Sequence, residues 1–458
     1  MNRRAFLAAA GAACTPLAAA SPTGFHYRGY LGWITDLATF ADTYAEWPSM
    51  RLDEPLLNDY RETFNLMKHL GFEDLCVWGF YVSRAWPVDI PSAVTPERAA
   101  QIEKLIHDAK ANGMRVISGL GVYSWGFEEI LRANPRLRKA PNKSAMCGSE
   151  EESWEWMRKV IDYVFTRFPI DGVSMQSGDQ GRCTCEKCSR YTDTEYHAML
   201  NIRCAQYIRS KWPGRRVAVS GWGMRFEDPA SLPALVNLSG NIDYLIDVRD
   251  SSRRKVPAYR AKLIGSLKCA FGTLGGPQVE PPQHWRRDRW FLPTVSGAGR
   301  HLQTLYADGG RACEWFDHIL ANPGDEITTW VVGRTLAEPQ TSWRKHLEAS
   351  VEQVYRIRNA AVRDGLSEAF LAAEEAYTRF LPADYCGTIS LEPLVSSKPG
   401  PPVYLTKRLN ATQRAEYAAS LRKVRTEFAT LGRELPREKR IAFILRAIDN
   451  VTRDIASA

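Results

Sequence analysis

No run in this 458-residue chain approaches the eighteen or more consecutive apolar residues of a membrane-spanning helix, so no span is expected in the mature protein. Charge of one sign is also scarce: 60 Lys and Arg stand against 52 Asp and Glu, a surplus of +8. So thin a surplus predicts solubility and argues against a nucleic-acid partner. The basic clusters Arg253-Arg254-Lys255 and Arg286-Arg287 are too short to track a phosphate backbone. No Gly-x-Gly-x-x-Gly follows a strand-like segment, and no Walker-type lysine loop occurs, which disfavours dinucleotide and nucleoside-triphosphate binding.

The N-terminus, by contrast, is informative. Arg3-Arg4 precedes Phe6-Leu7, an alanine-dominated run reaches Ala13, and Ala18-Ala19-Ala20 ends it. Charged, apolar and small residues in that order form a cleavable signal. The paired arginines predict the twin-arginine route and a periplasmic or extracellular destination, with an ordinary Sec signal as the alternative. Cleavage after Ala20 removes Arg3 and Arg4, taking the formal charge from +8 to +6.

From about residue 55 to 340, helix-like and strand-like segments alternate. Thr95-Pro96-Glu97 has a hydroxyl cap, a proline at the first helical position and an acid in the first turn. Ile102, Leu105, Ile106 and Ala109 follow at the spacing of one buried face, and Asn112-Gly113 closes the helix. Ser149 and Glu152 read as a capping box for the next helix. Eight strands are expected, near Tyr30–Ile34, Leu75–Trp78, Met114–Leu120, Gly172–Met175, Val217–Val219, Asp243–Asp247, Leu267–Phe271 and Ala312–Phe316. Such alternation implies parallel strands with right-handed crossovers, and eight units fit a closed (β/α)8 TIM-type barrel. Residues 341–458 change character to long helices, Trp343–Ala361, Leu366–Phe380, Ala411–Leu431 and Arg437–Ile455, which read as a helical C-terminal region.

Function in such a barrel gathers at the carboxyl ends of the strands. In strand order those ends offer Trp33, then Trp78 and Tyr81, then Tyr123 and Trp125. Asp179 and Gln180, Trp222, the group Asp247, Arg249 and Asp250, and finally Glu314 and Trp315 follow. Aromatic rings beside carboxylates suit a carbohydrate: pyranose faces stack on the rings, and a carboxyl pair supplies acid and base or nucleophile. Asp179, Glu314, Asp250 and Asp247 are the catalytic candidates. Separation of the working pair distinguishes retention, at about 5 Å, from inversion, at roughly 6.5–9.5 Å.

The most specific local motif is Gly178-Asp179-Gln180-Gly181-Arg182-Cys183-Thr184-Cys185-Glu186-Lys187-Cys188. Cys147, in the loop before the preceding helix, opens on the same barrel face and is the natural fourth member. Four thiolates suit a closed structural zinc site, and a pair of disulfides is the alternative in an oxidising compartment. Neither reading makes the cluster a catalytic cofactor. No cofactor is expected for the chemistry itself.

A strand ending in Gly-Asp and followed by a Cys-x-Cys-x-x-Cys loop resembles exported bacterial glycoside-hydrolase-like barrels related to family 20 hexosaminidases and α-glucuronidases. Asn322-Pro323-Gly324-Asp325-Glu326, running on to Ala337-Glu338-Pro339, is similar to the way those barrels pass into helical tails. The likeness covers residues 55 to 375 and implies a (β/α)8 fold acting on sugars. One departure stands out: family 20 enzymes carry an Asp-Glu pair after the fourth strand, where this chain has Asp179-Gln180, and glutamine cannot donate the proton. The expectation is therefore a glycoside hydrolase with Asp179 as the acid. A non-catalytic carbohydrate-binding barrel, and a uronate-directed enzyme using Arg249 or Arg182, are the alternatives.

Overall fold

A computed structural model describes residues 24–33, 52–82, 85–139, 144–247, 257–275, 291, 293–316, 323–379, 409–435 and 438–456. The signal-like residues 1–20, together with Arg249 and Asp250, lie outside the described residues. So do the side chains of Trp33 and Asp247, which close their strands.

Eight parallel strands close on themselves in sequence order. They are β1 (Tyr27–Trp33), β2 (Asp74–Trp78), β3 (Arg115–Gly121), β4 (Gly172–Gln176), β5 (Arg216–Ser220), β6 (Tyr244–Asp247), β7 (Ala270–Gly275) and β8 (Ala312–Phe316). Gly29 of β1 lies opposite both Asp74 of β2 and Glu314 of β8, which sets the closing register. Around the barrel run α1 (Glu54–Leu70), α2 (Pro96–Ala111), α3 (Glu128–Ala133), α4 (Glu151–Arg167), α5 (Asp193–Lys211), α6 (Leu232–Ser239), α7 (Pro257–Ser266), α8 (Val295–Ala307) and α9 (Pro323–Ala337).

Alternation along each strand divides the core in two. On β2, Leu75 and Val77 face the helices, while Cys76 and Trp78 face the lumen with Tyr27, Leu31, Ile117, Ala218, Tyr244, Ile246 and Ala312. The larger core lies between sheet and helices. There α2 buries Ile102, Leu105, Ile106 and Ala109, the leucine and two isoleucines contributing about 1.5–3 kcal/mol each. Its cap is the expected one: the Thr95 hydroxyl accepts from Arg98 N at 3.3 Å.

Three local expectations differ from the structure. The last turn of α7 carries on to Leu267, whose N–H bonds Ile264 O, so β7 begins three residues later than its apolar run suggests. No capping box forms at Ser149: α4 starts at Glu151, the Ser149 hydroxyl turns to a sulfur, and Glu152 accepts from Arg136 Nε at 2.8 Å. Thr192 and Glu195 instead make the reciprocal box, at the start of α5. The expected helix over Trp343–Ala361 also breaks, because Arg356 adopts a left-handed conformation at φ 53°.

That break separates α10 (Trp343–Tyr355) from α11 (Ala360–Thr378), with α12 (Ala411–Leu431) and α13 (Lys439–Ala456) completing the C-terminal helices. They pack on the α8–α9 side of the barrel. Glu374 of α11, 4% exposed, accepts from Ser296 N and Gly297 N at 2.7 and 2.8 Å. A carboxylate from the C-terminal region thereby satisfies the first turn of α8, where its partial positive charge lies. Among the described residues no helix is long and apolar enough to cross a membrane.

Candidate functional site

The barrel floor is ionic. Asp74, fully buried, accepts from Arg115 Nε and Nη2 at 2.6 and 2.8 Å, and Arg216 Nη1 donates to Tyr244 OH at 2.8 Å. Tyr27 stacks on Tyr244 with ring centres 4.5 Å apart and donates its hydroxyl proton to Glu314 Oε1 at 2.8 Å. Glu314 is only 2% exposed. Burial pushes its carboxyl above the ordinary glutamate range, against hydrogen bonds from Ser174, Tyr27 and Cys76 that pull the other way. It faces the lumen as its strand position requires, but at mid-depth, tied to the layer beneath the mouth.

Above that layer the lumen becomes aromatic. Trp78 lies across Gly119, where a Cβ would fall 2.2 Å from the indole. Trp125 meets it edge-on, with ring centres 5.2 Å apart and an interplanar angle of 84°. Trp125 reaches this position because the chain doubles back after β3. Tyr123 takes the left-handed conformation at φ 61°, and the Trp125 carbonyl returns so close to Gly121 that a Cβ there would sit 2.0 Å from its oxygen. Strain of this kind persists only where the surroundings over-determine it, and here it places a half-buried tryptophan over the lumen.

The loops after β4 and β5 form the next stretch of rim. Ser177 accepts from Asn201 Nδ2 at 2.9 Å, Gly178 turns the chain, and Asp179 emerges at the surface of the mouth. Desolvation by the surrounding protein raises the Asp179 carboxyl above the usual aspartate range, offset in part by Gln180 Nε2 donating at 3.3 Å. Trp222, 37% exposed, follows β5 on the neighbouring loop. The two loops touch backbone to backbone: a Cβ on Gly178 would lie 2.3 Å from Trp222 O, and one on Gly223 would lie 3.2 Å from Gly178 Cα. The His197 ring packs beneath this contact, and burial lowers its pKa to about 4, so it is neutral at physiological pH.

Cys147, Cys183, Cys185 and Cys188 converge next to this loop, their four sulfurs all within 4.8 Å of one another. Cys147 Sγ is 3.7 Å from Cys185 Sγ and from Cys188 Sγ. A disulfide needs about 2.05 Å, whereas a tetrahedron with metal–sulfur bonds of about 2.3 Å has edges of about 3.8 Å. The four are unbonded and can hold one metal ion. As bare thiols they share protons unevenly: hydrogen bonding with Cys183 pulls Cys147 down to about 4 and pushes Cys183 up. Second contacts surround them, with Ser149 Oγ 3.1 Å from Cys147 Sγ and Gly148 N donating to Tyr196 OH at 3.1 Å. Arg182 lies over the Tyr196 ring and donates to Thr192 O and Tyr191 O at 2.8 and 2.9 Å.

Of the residues singled out from sequence, Trp78 and Trp125 line the lumen, Asp179, Gln180 and Trp222 stand on the loops that follow β4 and β5, and the four cysteines come together. Three aromatic candidates do not. Tyr81 points into the helix layer, donating to Val164 O at 2.7 Å and packing on Trp86, Tyr163 and Phe168. Tyr123 is buried in the same outer core, and Trp315, fully buried, alternates outward from β8 with its ring against Gly275. Arg182 is engaged by Tyr191, Thr192 and Asp193, which removes it as a clamp for a uronate. Sequence reading missed His197 and Tyr196. Both lie on the first two turns of α5, the helix that the Thr192–Glu195 box anchors, and that box was the available signal.

Strand order and closure define a (β/α)8 barrel. Among solved structures, 94% of the chain superposes on a mutant O-GlcNAc hydrolase of Thermobaculum terrenum, at 13% identity and TM-score 0.52, covering 83% of that chain. It superposes over 94% of its length on a GH138 enzyme targeting pectin rhamnogalacturonan II, at 11% identity and TM-score 0.60, covering 57% of that longer chain. Likeness at these identities shows the shared fold. No protein-family model matches the sequence, and no curated protein matches it.

Proposed function

We propose that this chain is an exported glycoside hydrolase in which Asp179 is the general acid. The observation that carries the reading is the position of Asp179 on the loop after β4, at the carboxyl-terminal end of a barrel whose lumen is lined by the Trp78–Trp125 pair, with its carboxyl raised by desolvation. In the reaction the Asp179 proton passes to the glycosidic oxygen as the C–O bond breaks, its electron pair leaving with that oxygen. A second carboxylate, or water activated by one, meets the sugar carbon. Asp247 or Asp250, at the end of β6 and just beyond it, is the partner this reading favours. Glu314 ranks below them because its carboxyl is tied to Tyr27 in the lumen.

The kinship to family 20 and α-glucuronidase barrels and the twin-arginine route belong to this same reading. So does a structural zinc held by Cys147, Cys183, Cys185 and Cys188, which would clamp the β3 and β4 loops without entering the chemistry. Hydrolysis of a glycan panel by the mature protein, lowered about 10²–10⁴-fold in Asp179→Asn with glycan affinity retained, tests the proposal; no hydrolysis by the wild type sinks it. One observation favours a second reading, a carbohydrate-binding barrel without catalysis. Glu314, the described carboxyl that faces the lumen from a strand end, is buried and tied to Tyr27, so no second carboxyl is placed beside Asp179 among the described residues singled out from sequence. Binding without cleavage, unchanged in Asp179→Asn, is its signature.

A further inference from the structure

The four sulfurs of the cysteine cluster are not equivalent toward solvent. Cys147 and Cys183 are fully buried and Cys188 nearly so, whereas Cys185 is half-buried. Cys185 lies between Thr184 and the Glu186-Lys187 pair, all three exposed, so it is the cluster's one opening to a small solute. Behind it, on the other loop, Cys147 Sγ stands 3.7 Å away. Ser149 Oγ is 3.8 Å from Cys185 Sγ and 3.1 Å from Cys147 Sγ, a hydroxyl within reach of both. Cys269 is the internal comparison: it is also half-buried, but it lies outside the cluster, and burial pushes its thiol up to about 12. A metal-bound sulfur is a thiolate, and oxidants take accessible thiolates before thiols.

We propose that the cluster is an oxidation site as well as a metal site: Cys185 takes the attack of a hydroperoxide, Cys147 resolves it, and the metal ion is released. This rests on the cluster holding a metal, and not on the assignment of Asp179. The Cys185 thiolate attacks one peroxide oxygen. The O–O bond breaks, hydroxide leaves with its electron pair and takes up a proton as water, and a sulfenic acid remains. The Cys147 thiolate then attacks the Cys185 sulfur, the S–O bond breaks, and the departing hydroxide is protonated to water from the side of Ser149. Two sulfurs have given two electrons, and one peroxide has become two waters. The new bond draws the sulfurs from 3.7 Å to about 2.05 Å. Cys183 and Cys188 alone are left, too few for a closed tetrahedral site. The bridge still joins the loop before α4 to the loop after β4, so the ion leaves without parting them.

The test treats the zinc-loaded mature protein with hydrogen peroxide and follows it with a chromogenic zinc chelator, thiol titration and mass mapping. About one zinc should be released for about two thiols lost. The bridge should map to Cys147–Cys185, and a sulfenic-acid label should fall on Cys185 ahead of Cys269. Dithiothreitol with fresh zinc should restore metal and thiols together, and Cys269→Ser should release its zinc at the wild-type rate. Oxidation that begins at Cys269, a bridge that omits Cys185, or zinc retained while the cluster thiols are lost overturns the inference and leaves the metal site standing. Protein that holds no metal before peroxide is added overturns the metal reading and this inference together, which separates the two failures.

Discussion

Glu326 on α9 and Arg440 on α13, 114 positions apart, form a two-pronged ion pair at 2.8 and 3.0 Å in which neither residue is more than 5% exposed. The barrel's last helix is joined by it to the last helix of the chain. Burial alone would disfavour both charges; the paired geometry offsets that cost, and Tyr355 and Glu438 complete the surroundings of the guanidinium. Removing one partner strands the other. Arg440→Met is therefore expected to destabilise the protein by about 3–5 kcal/mol in denaturant unfolding, and Glu326→Leu with Arg440→Met should recover most of the loss. A single variant within 1 kcal/mol of wild type would show that the pair does not hold the two regions together.

The raised Asp179 carboxyl makes a signed prediction about pH. On the proposed reading Asp179 is the general acid and works only when protonated, so activity is present below its pKa and lost as pH rises through it. Raising the pKa carries the active range further toward neutrality than an ordinary aspartate would. A profile of kcat/KM should show a descending alkaline limb that disappears in Asp179→Asn, with the rate lowered about 10²–10⁴-fold. Persistence of that limb in the variant would assign it to another group.

Glycines 178 and 265 should respond oppositely to one added methyl group. At Gly178 the new carbon would meet the Trp222 carbonyl at 2.3 Å, and backbone cannot swing aside. Gly178→Ala should cost about 1–3 kcal/mol and displace Asp179. At Gly265, exposed within α7, nothing lies within 4 Å, and Gly265→Ala should be neutral or stabilise by about 0.4–1 kcal/mol. Thermal melts of the two variants check both signs, and a tolerated Gly178→Ala would mean the loops are not in firm contact.

Metal content tests the cysteine cluster. Purified mature protein should carry about one equivalent of zinc per chain, and Cys188→Ser should lose most of it and melt at lower temperature. The measurement is elemental analysis alongside thiol titration. Metal-free protein with Cys147, Cys183, Cys185 or Cys188 in disulfides would replace the metal reading by its alternative.

The barrel was legible because its signals are local and repeated. Thr95, Pro96 and Asn112-Gly113 bracket a helix with side chains that cap or stop it, and Ala312–Phe316 stands as read. Signals that depend on packing were not legible. Ser149 has the chemistry of a cap, yet the sulfurs claim its hydroxyl. Trp315 stands near a strand end, but strand alternation turns it outward, and one residue of register decides which face a ring takes. Tyr81 and Tyr123 failed for a related reason: an aromatic beyond a strand end can fold under the loop as readily as over the lumen. The cysteines were legible because three within six residues, beside a fourth on the neighbouring loop, leave few arrangements open.

The sulfur cluster does one more thing to the mouth. It brings the loop before α4, whose Met146 N–H bonds the carbonyl of Tyr123 in the turn after β3, against the loop after β4, and the glycine contact at 178 and 223 brings that loop against the one after β5. Three consecutive segments of the rim, carrying Trp125, Asp179 and Trp222, are thus packed one against the next, so a change at either junction is felt along all three.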